Sequence, residues 1–120
     1  GVTFTLSGNI SGPRDFVVEP TGNGGTVELT GNNSFTGVVR IHNGTLALGS
    51  ATALSAAGTV RFTASGTGLA FTAGGIDVTR GILSLNGSGA VEATIDTGAN
   101  NATLSGRIFD ADTGTGQTLG

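Results

Sequence analysis

Four acidic side chains are the residues of this sequence that could do chemistry as a pair: Glu28, Asp77, Glu92 and Asp96. Two carboxylates placed close together can hydrolyse a glycosidic bond, one as the acid and the other as the base or nucleophile. Each of the four alternates with apolar residues, so we expect it on the solvent face of a strand. The sequence has no Trp or Tyr to form a platform for a sugar ring. The pattern therefore favours solvated surface residues over a catalytic pair.

Two other features could bind a ligand or a metal ion. His42 is the single histidine, and with no nucleophile or metal ligand beside it we predict an outward strand residue next to Ile41. Asp110 and Asp112 resemble the start of a calcium-binding EF-hand loop, but the sixth position is Thr115, where that loop requires Gly. We predict a polar turn there. We therefore assign no catalytic, cofactor-binding or metal-binding residue, and we predict no cofactor.

The composition sets limits on the class of protein. The 120 residues include 23 Gly, 2 Pro and no Cys, and 37 % are hydrophobic. Cys-dependent chemistry and disulfides are therefore excluded. Five Arg, no Lys and a net charge of -3 leave no basic patch for nucleic acid. No segment approaches the ~20 apolar residues that a membrane-spanning helix needs. We expect residues 1–120 to form a single segment of a longer repetitive protein.

Short runs with two-residue alternation are the main secondary-structure signal, and they predict strands with one buried face. Several runs begin with Gly, which suits sharp corners because Gly adopts positive φ and allows close backbone approach. Residues 50–57 contain helix-forming residues but are too short for a helix, so we predict a turn with Leu54 inward. The runs that predict strands are residues 2–6, 15–19, 26–30, 39–42, 45–48, 59–63, 75–79, 82–85 and 91–95.

One phrase occurs twice in the chain. Residues 4–10 read Phe-Thr-Leu-Ser-Gly-Asn-Ile, and residues 102–108 read Ala-Thr-Leu-Ser-Gly-Arg-Ile. Self-similarity of this kind predicts a fold built by stacking repeated units. We interpret the two copies as equivalent points of a long repeat. Five Asn at predicted corners could stack in ladders, because Asn tolerates corner geometry; they are Asn9, Asn32, Asn33, Asn43 and Asn86.

Part of the chain resembles a known repeat. Residues 25–37 read Gly-Thr-Val-Glu-Leu-Thr-Gly-Asn-Asn-Ser-Phe-Thr-Gly, and residues 41–49 read Ile-His-Asn-Gly-Thr-Leu-Ala-Leu-Gly. Together with Ala53-Leu54 and Gly58-Thr59-Val60, they are similar to the autotransporter-associated β-strand repeat of bacterial type V secreted surface proteins. Val38-Val39 departs from the pattern, since small or hydroxyl residues are commoner there. The match covers about a third of the chain.

The resemblance implies an all-β fold, a right-handed parallel β-helix (β-solenoid), for which we expect about five to six coils. It also implies secretion and display on the bacterial cell surface, with a parent protein anchored in the outer membrane. The expected function is that of a structural section of an extracellular stalk of a surface protein or adhesin. The expected partners are adjacent coils of the same or a longer chain, another copy joined end to end as in a filament, and a host surface or glycan. The alternative is a β-helical carbohydrate-active enzyme or carbohydrate-binding module.

Overall fold

The computed structural model describes residues 2–20, 24–55, 57–64, 66–79, 81–84 and 93–110. These residues form twelve strands and no helix, so none of them lies in a helix long and apolar enough to cross a membrane. The strands are β1 (Thr3–Leu6), β2 (Phe16–Val18), β3 (Thr26–Leu29), β4 (Val39–Ile41), β5 (Thr45–Leu48), β6 (Val60–Phe62), β7 (Thr67–Phe71), β8 (Ile76–Val78), β9 (Ile82–Ser84), β10 (Ala93–Asp96), β11 (Ala102–Leu104) and β12 (Ile108–Asp110).

The strands lie in three sheets, and every pair in the described part of the chain is parallel. Sheet A has the order β1-β3-β5-β7-β10, sheet B has the order β2-β4-β6-β9-β12, and sheet C contains β8 and β11. The chain visits sheet A, crosses to sheet B and returns to sheet A one position further along. We call each such circuit a level, and number the levels from one to five starting at β1.

This arrangement is a β-solenoid, so the predicted fold class is confirmed. The described residues form five levels and about 4 full turns. Thr3 pairs with Thr26, and Thr26 pairs with Thr45, so successive turns contain 23 and 19 residues. The turns differ in length because the connections between strands differ, while the strands stay in register.

The core consists of apolar columns that run from level to level. In sheet A, Val27, Leu46 and Leu69 are register partners, and Leu46 and Leu69 are fully buried. In sheet B, Val39 and Val60 are paired and fully buried. Alternation within each strand sends these side chains inward. Each level therefore buries its apolar face against its neighbours, as expected for a fold that stacks short units.

Glycines allow the backbones of neighbouring levels to approach at the corners. Gly44 has φ of 68°, and a Cβ atom there would lie 2.2 Å from the carbonyl oxygen of Gly25. Gly25 itself needs space, because its Cβ would lie 2.8 Å from the Cβ of Pro20. The strand-opening glycines thus serve close packing as well as backbone conformation.

Each of the nine predicted runs contains a strand, although residues 85 and 91–92 lie outside the described residues. The alternating runs do not include β7, β11 or β12; in β7, with the sequence Thr-Gly-Leu-Ala-Phe, Gly68 is the second residue. The turn around residues 51–55 is present, and Leu54 is buried there as predicted.

The interpretation of the repeated phrase is wrong. Its first copy contains β1 of sheet A, whereas its second copy contains β11 of sheet C and continues into β12 of sheet B. The copies share a local pattern, a strand followed by a Ser-Gly corner. They do not share a position in the solenoid.

We expect Leu46→Ala to lower the free energy of unfolding by about 2–5 kcal/mol, because it leaves a cavity in the middle of a buried column. Chemical denaturation measures the change. Val17→Ala, at a side chain that is 46 % exposed, is the matched control and should cost much less. Equal losses for the two variants would contradict the assignment of the core.

Candidate functional site

The predicted carboxylates are used for contacts between levels. The Thr5 hydroxyl donates to Glu28 Oε1 at 2.9 Å, and the Thr72 hydroxyl donates to Glu28 Oε2 at 2.6 Å. Thr5 belongs to level one, Glu28 to level two, and Thr72 follows the level-four strand β7. The Glu28 carboxylate therefore links three levels and skips the one between.

Small residues at level three make this reach possible. Ala47 in β5 is the register partner of Glu28, and Gly49 is the first residue after β5. A Cβ at Gly49 would lie 2.9 Å from the Thr72 hydroxyl and 3.3 Å from Glu28 Oε2. Gly49 thus leaves room for the hydrogen bond between Glu28 and Thr72. We call Thr5, Glu28, Gly49 and Thr72 the Glu28 bridge.

The other acidic candidates are separate from Glu28 in their contacts. Asp77 Oδ1 accepts from the hydroxyl of Ser105 at 2.7 Å and from its backbone N–H at 3.3 Å, which joins level four to level five. Asp96 Oδ1 accepts from the N–H of Gly98 at 2.8 Å within one turn. Glu92 lies outside the described residues. The structure thus gives each described carboxylate its own hydrogen-bond partners.

His42 lies at the end of β4 and is half-buried. Its Nδ1 atom forms a hydrogen bond with the hydroxyl of Thr63, whose backbone N–H donates to the carbonyl of Ile41. His42 therefore takes part in a contact between levels two and three. Within the described ranges, no group of three His, Cys, Asp or Glu residues could hold a metal ion. Asp110 ends β12, and the rest of the calcium-loop motif lies outside those ranges.

An asparagine corner joins the first three levels. Asn33 is 1 % exposed, its Oδ1 accepts from the N–H of Ile10 at 2.8 Å, and its Nδ2 donates to the carbonyl of Ala53 at 3.0 Å. One side chain thus satisfies backbone groups on both neighbouring levels. Asn9 accepts from the N–H of Asn32 at 2.9 Å, which adds a second contact at the same corner. These contacts differ from the predicted ladder of stacked side chains, because the amides bond to backbone groups; Asn86 lies outside the described residues.

A cavity lies below β8, where sheet C has no strand at level three. Its volume is about 230 Å³, and it lies between the turn at residues 51–55 and β8. Leu48, Leu54, Ile76 and Val78 supply apolar walls. Asp77 also borders the cavity, but its carboxylate bonds to Ser105 on the next level. The cavity could take a small apolar group.

An ion pair that the sequence analysis missed lies on the outer face of sheet B. Arg40 Nε donates to Asp15 Oδ2 at 3.1 Å, and the N–H of Val38 donates to Asp15 Oδ1 at 3.1 Å. The hydrogen bond from Arg40, and to a smaller extent the one from Val38, holds the pKa of Asp15 below its ordinary value. The stabilisation is therefore present above the ordinary carboxyl pKa and is lost as the pH falls through the lowered one. The signal for this contact in the sequence is the 23-residue spacing between Asp15 and Val38, which equals the length of the first turn.

Asn33→Ala should lower the free energy of unfolding by about 1–3 kcal/mol, since it leaves buried backbone groups of two levels without partners. Thermal and chemical denaturation report the loss. Asn32→Ala is the matched control. The Asn32 side chain is exposed, and this residue bonds to Asn9 through its backbone N–H, which the substitution keeps. If Asn32→Ala proved as damaging, the assigned role of Asn33 would be incorrect.

Gly49→Ala should weaken the Glu28 bridge, and the loss should be coupled to Thr72. We expect Thr72→Val to cost about 1 kcal/mol in the original chain and clearly less in the Gly49→Ala chain, because the hydrogen bond is already displaced there. A double-mutant cycle of unfolding free energies measures the coupling. Gly74→Ala, where the nearest atom to a new Cβ is 4.0 Å away, is the control background and should leave the cost of Thr72→Val unchanged.

Comparisons with known proteins give no relative for this arrangement. No family model, no curated protein and no solved structure matches the chain.

Proposed function

We propose that this chain is a structural section of an extracellular β-solenoid stalk in a bacterial surface protein or adhesin. The observation that carries the proposal is the stacking of five levels in one register. Such a stack can be lengthened by further levels without altering those already present, because the strands of each level pair only with those of its neighbours. A fold of this type supplies length and stiffness.

The polar contacts on the outside of the solenoid support the same function. Glu28, Asp77 and Asn33 each bond to groups on other levels. Catalytic groups would have to meet at one place around a substrate. Glu28 and Asp77 instead bond at separate places, and each joins one level to another. The resemblance at residues 25–60 adds the proposed context, which is secretion and display by a parent protein anchored in the outer membrane.

The open face of level one supports the proposed partners. Phe4 is 54 % exposed and Leu6 is 39 % exposed, although both are register partners of inward residues on level two. β1 and β2 each pair on one side only. A further coil would bury these side chains and complete the backbone pairing. We propose that a coil of a longer chain or another copy joined end to end supplies it.

The alternative is a β-helical carbohydrate-active enzyme or carbohydrate-binding module, for which the one supporting feature is that the acidic residue Asp77 borders the cavity below β8. A glycan array and a polysaccharide-cleavage screen separate the two functions. The stalk function predicts no turnover. Turnover that Asp77→Asn or Glu28→Gln abolishes would overturn it in favour of the enzyme.

Removal of one complete turn tests the stalk function directly. Deletion of residues 26–44 joins Gly25 to Thr45. Thr45 is the register partner of Thr26 and takes its place, so we expect a shorter chain that still folds and resists protease. Deletion of residues 28–47 removes one residue more and joins Val27 to Leu48 within the strand, which shifts the register by one residue, so this control should be digested rapidly. Circular dichroism and limited proteolysis measure both variants. Equal digestion of the two deletions would contradict an extendable stack.

A further inference from the structure

Two arginines stack on the outer face of sheet B. Arg40 is the middle residue of β4, Arg61 is the middle residue of β6, and the two are register partners. The residues on either side of each arginine are buried, so alternation directs both arginines outward. Adjacent levels are about 4.8 Å apart. The two arginines therefore extend from neighbouring positions on the same outer face.

One acid compensates only one of these charges. Asp15 bonds to Arg40 through Nε, and the side chains of that pair are 43 % and 33 % exposed respectively. On level one, the register partner of Arg40 is Val17, which carries no charge. Asp15, Arg40 and Arg61 together therefore carry one excess positive charge.

Arg61 has no hydrogen-bond or ion-pair partner in the described part of the chain. Its side chain is half-buried, and its Nε atom is buried without a partner. Buried polar groups in proteins are almost always hydrogen-bonded, so an arginine left in this state calls for a partner that supplies acceptors. Among the described residues, Asp15 acts on Arg61 only through its charge, because its hydrogen bonds come from Arg40 and Val38.

We propose that Arg40 and Arg61 form a binding site for an oxyanion, namely a carboxylate or sulfate group. Arg40, on level two, donates a hydrogen bond to Asp15 through Nε. The other N–H groups of its planar guanidinium are left for a second acceptor. An oxyanion between the two guanidinium groups accepts from both, and it balances the excess charge. Arginine suits such planar, multiple hydrogen bonding better than lysine does. The site is independent of the stalk function, since the solenoid does not need it to stack.

The experiment is an NMR titration of the ¹⁵N-labelled full chain with sodium sulfate, and separately with sodium acetate, at low ionic strength. Chloride at matched ionic strength is the reference, because salt screens surface charges. We expect saturable shifts of the amides at residues 39–41 and 60–62. Sulfate should also raise the melting temperature, because a ligand that binds the folded state stabilises it.

Four variants test the assignment. Arg61→Gln should weaken sulfate binding at least tenfold, and Arg61→Lys should retain part of it. Asp15→Asn should strengthen binding severalfold, because it frees Arg40. Arg14→Gln removes the same charge from an exposed arginine and should change the affinity less than twofold. If Arg61→Gln unfolds the chain, the sulfate affinities of the Asp15→Asn and Arg61→Lys variants still decide whether the two arginines bind the anion.

Dextran sulfate with a neutral dextran control identifies the source of the anion. Tighter binding per sulfate group of the polymer indicates a group carried on a polymer, whereas equal binding indicates free ions, and both results support the oxyanion site. Absence of saturable shifts with both anions would overturn the proposal. So would equal losses for Arg61→Gln and Arg14→Gln, since that would be a general effect of charge. Neither result would affect the deletion test of the stalk.

Discussion

The parallel hydrogen-bond ladder between levels is the constraint on which the rest of the structure depends. Each inner strand of sheets A and B shares its backbone donors and acceptors with the strands before and after it in the stack. A parallel ladder in register places equivalent residues directly above one another. An apolar residue must therefore follow an apolar residue, as Val27, Leu46 and Leu69 do. The choice of side chain at one level limits the choice at the next.

The ladder also explains why polar side chains, buried or exposed, act between levels. Neighbouring levels are closer together than residues on opposite faces of one level, so a side chain finds partners above and below it. Asn33 contacts both adjacent levels in this way, and His42 contacts the level that follows. Glu28 extends further because Ala47 and Gly49 take little space. Absence of side-chain volume is thus as important as the hydrogen bonds themselves.

The sequence predicts the strands and the solenoid because both depend on local alternation and on glycine corners. It fails at β7, where Gly68 interrupts the alternation and the strand forms because β5 and β10 pair with it. The repeated phrase misleads for a related reason: a strand and a Ser-Gly corner can occur on any sheet. The pairing of Asp15 with Arg40 depends on the register, which unequal turns of 23 and 19 residues conceal. Local structure was therefore predictable, whereas contacts between levels required the register.

The Glu28 bridge has a mechanical consequence. A pulling force along the solenoid axis loads the interfaces between levels in series, so the weakest interface opens first and the others remain closed. Because Glu28 bonds to Thr5 and to Thr72, it ties together interfaces that would otherwise yield one at a time. Opening of the interfaces that Glu28 spans is therefore coupled. The interface between levels four and five is held in another way, by three strand pairs and by the side-chain bonds of Asp77 with Ser105 and of Asn100 with Phe71.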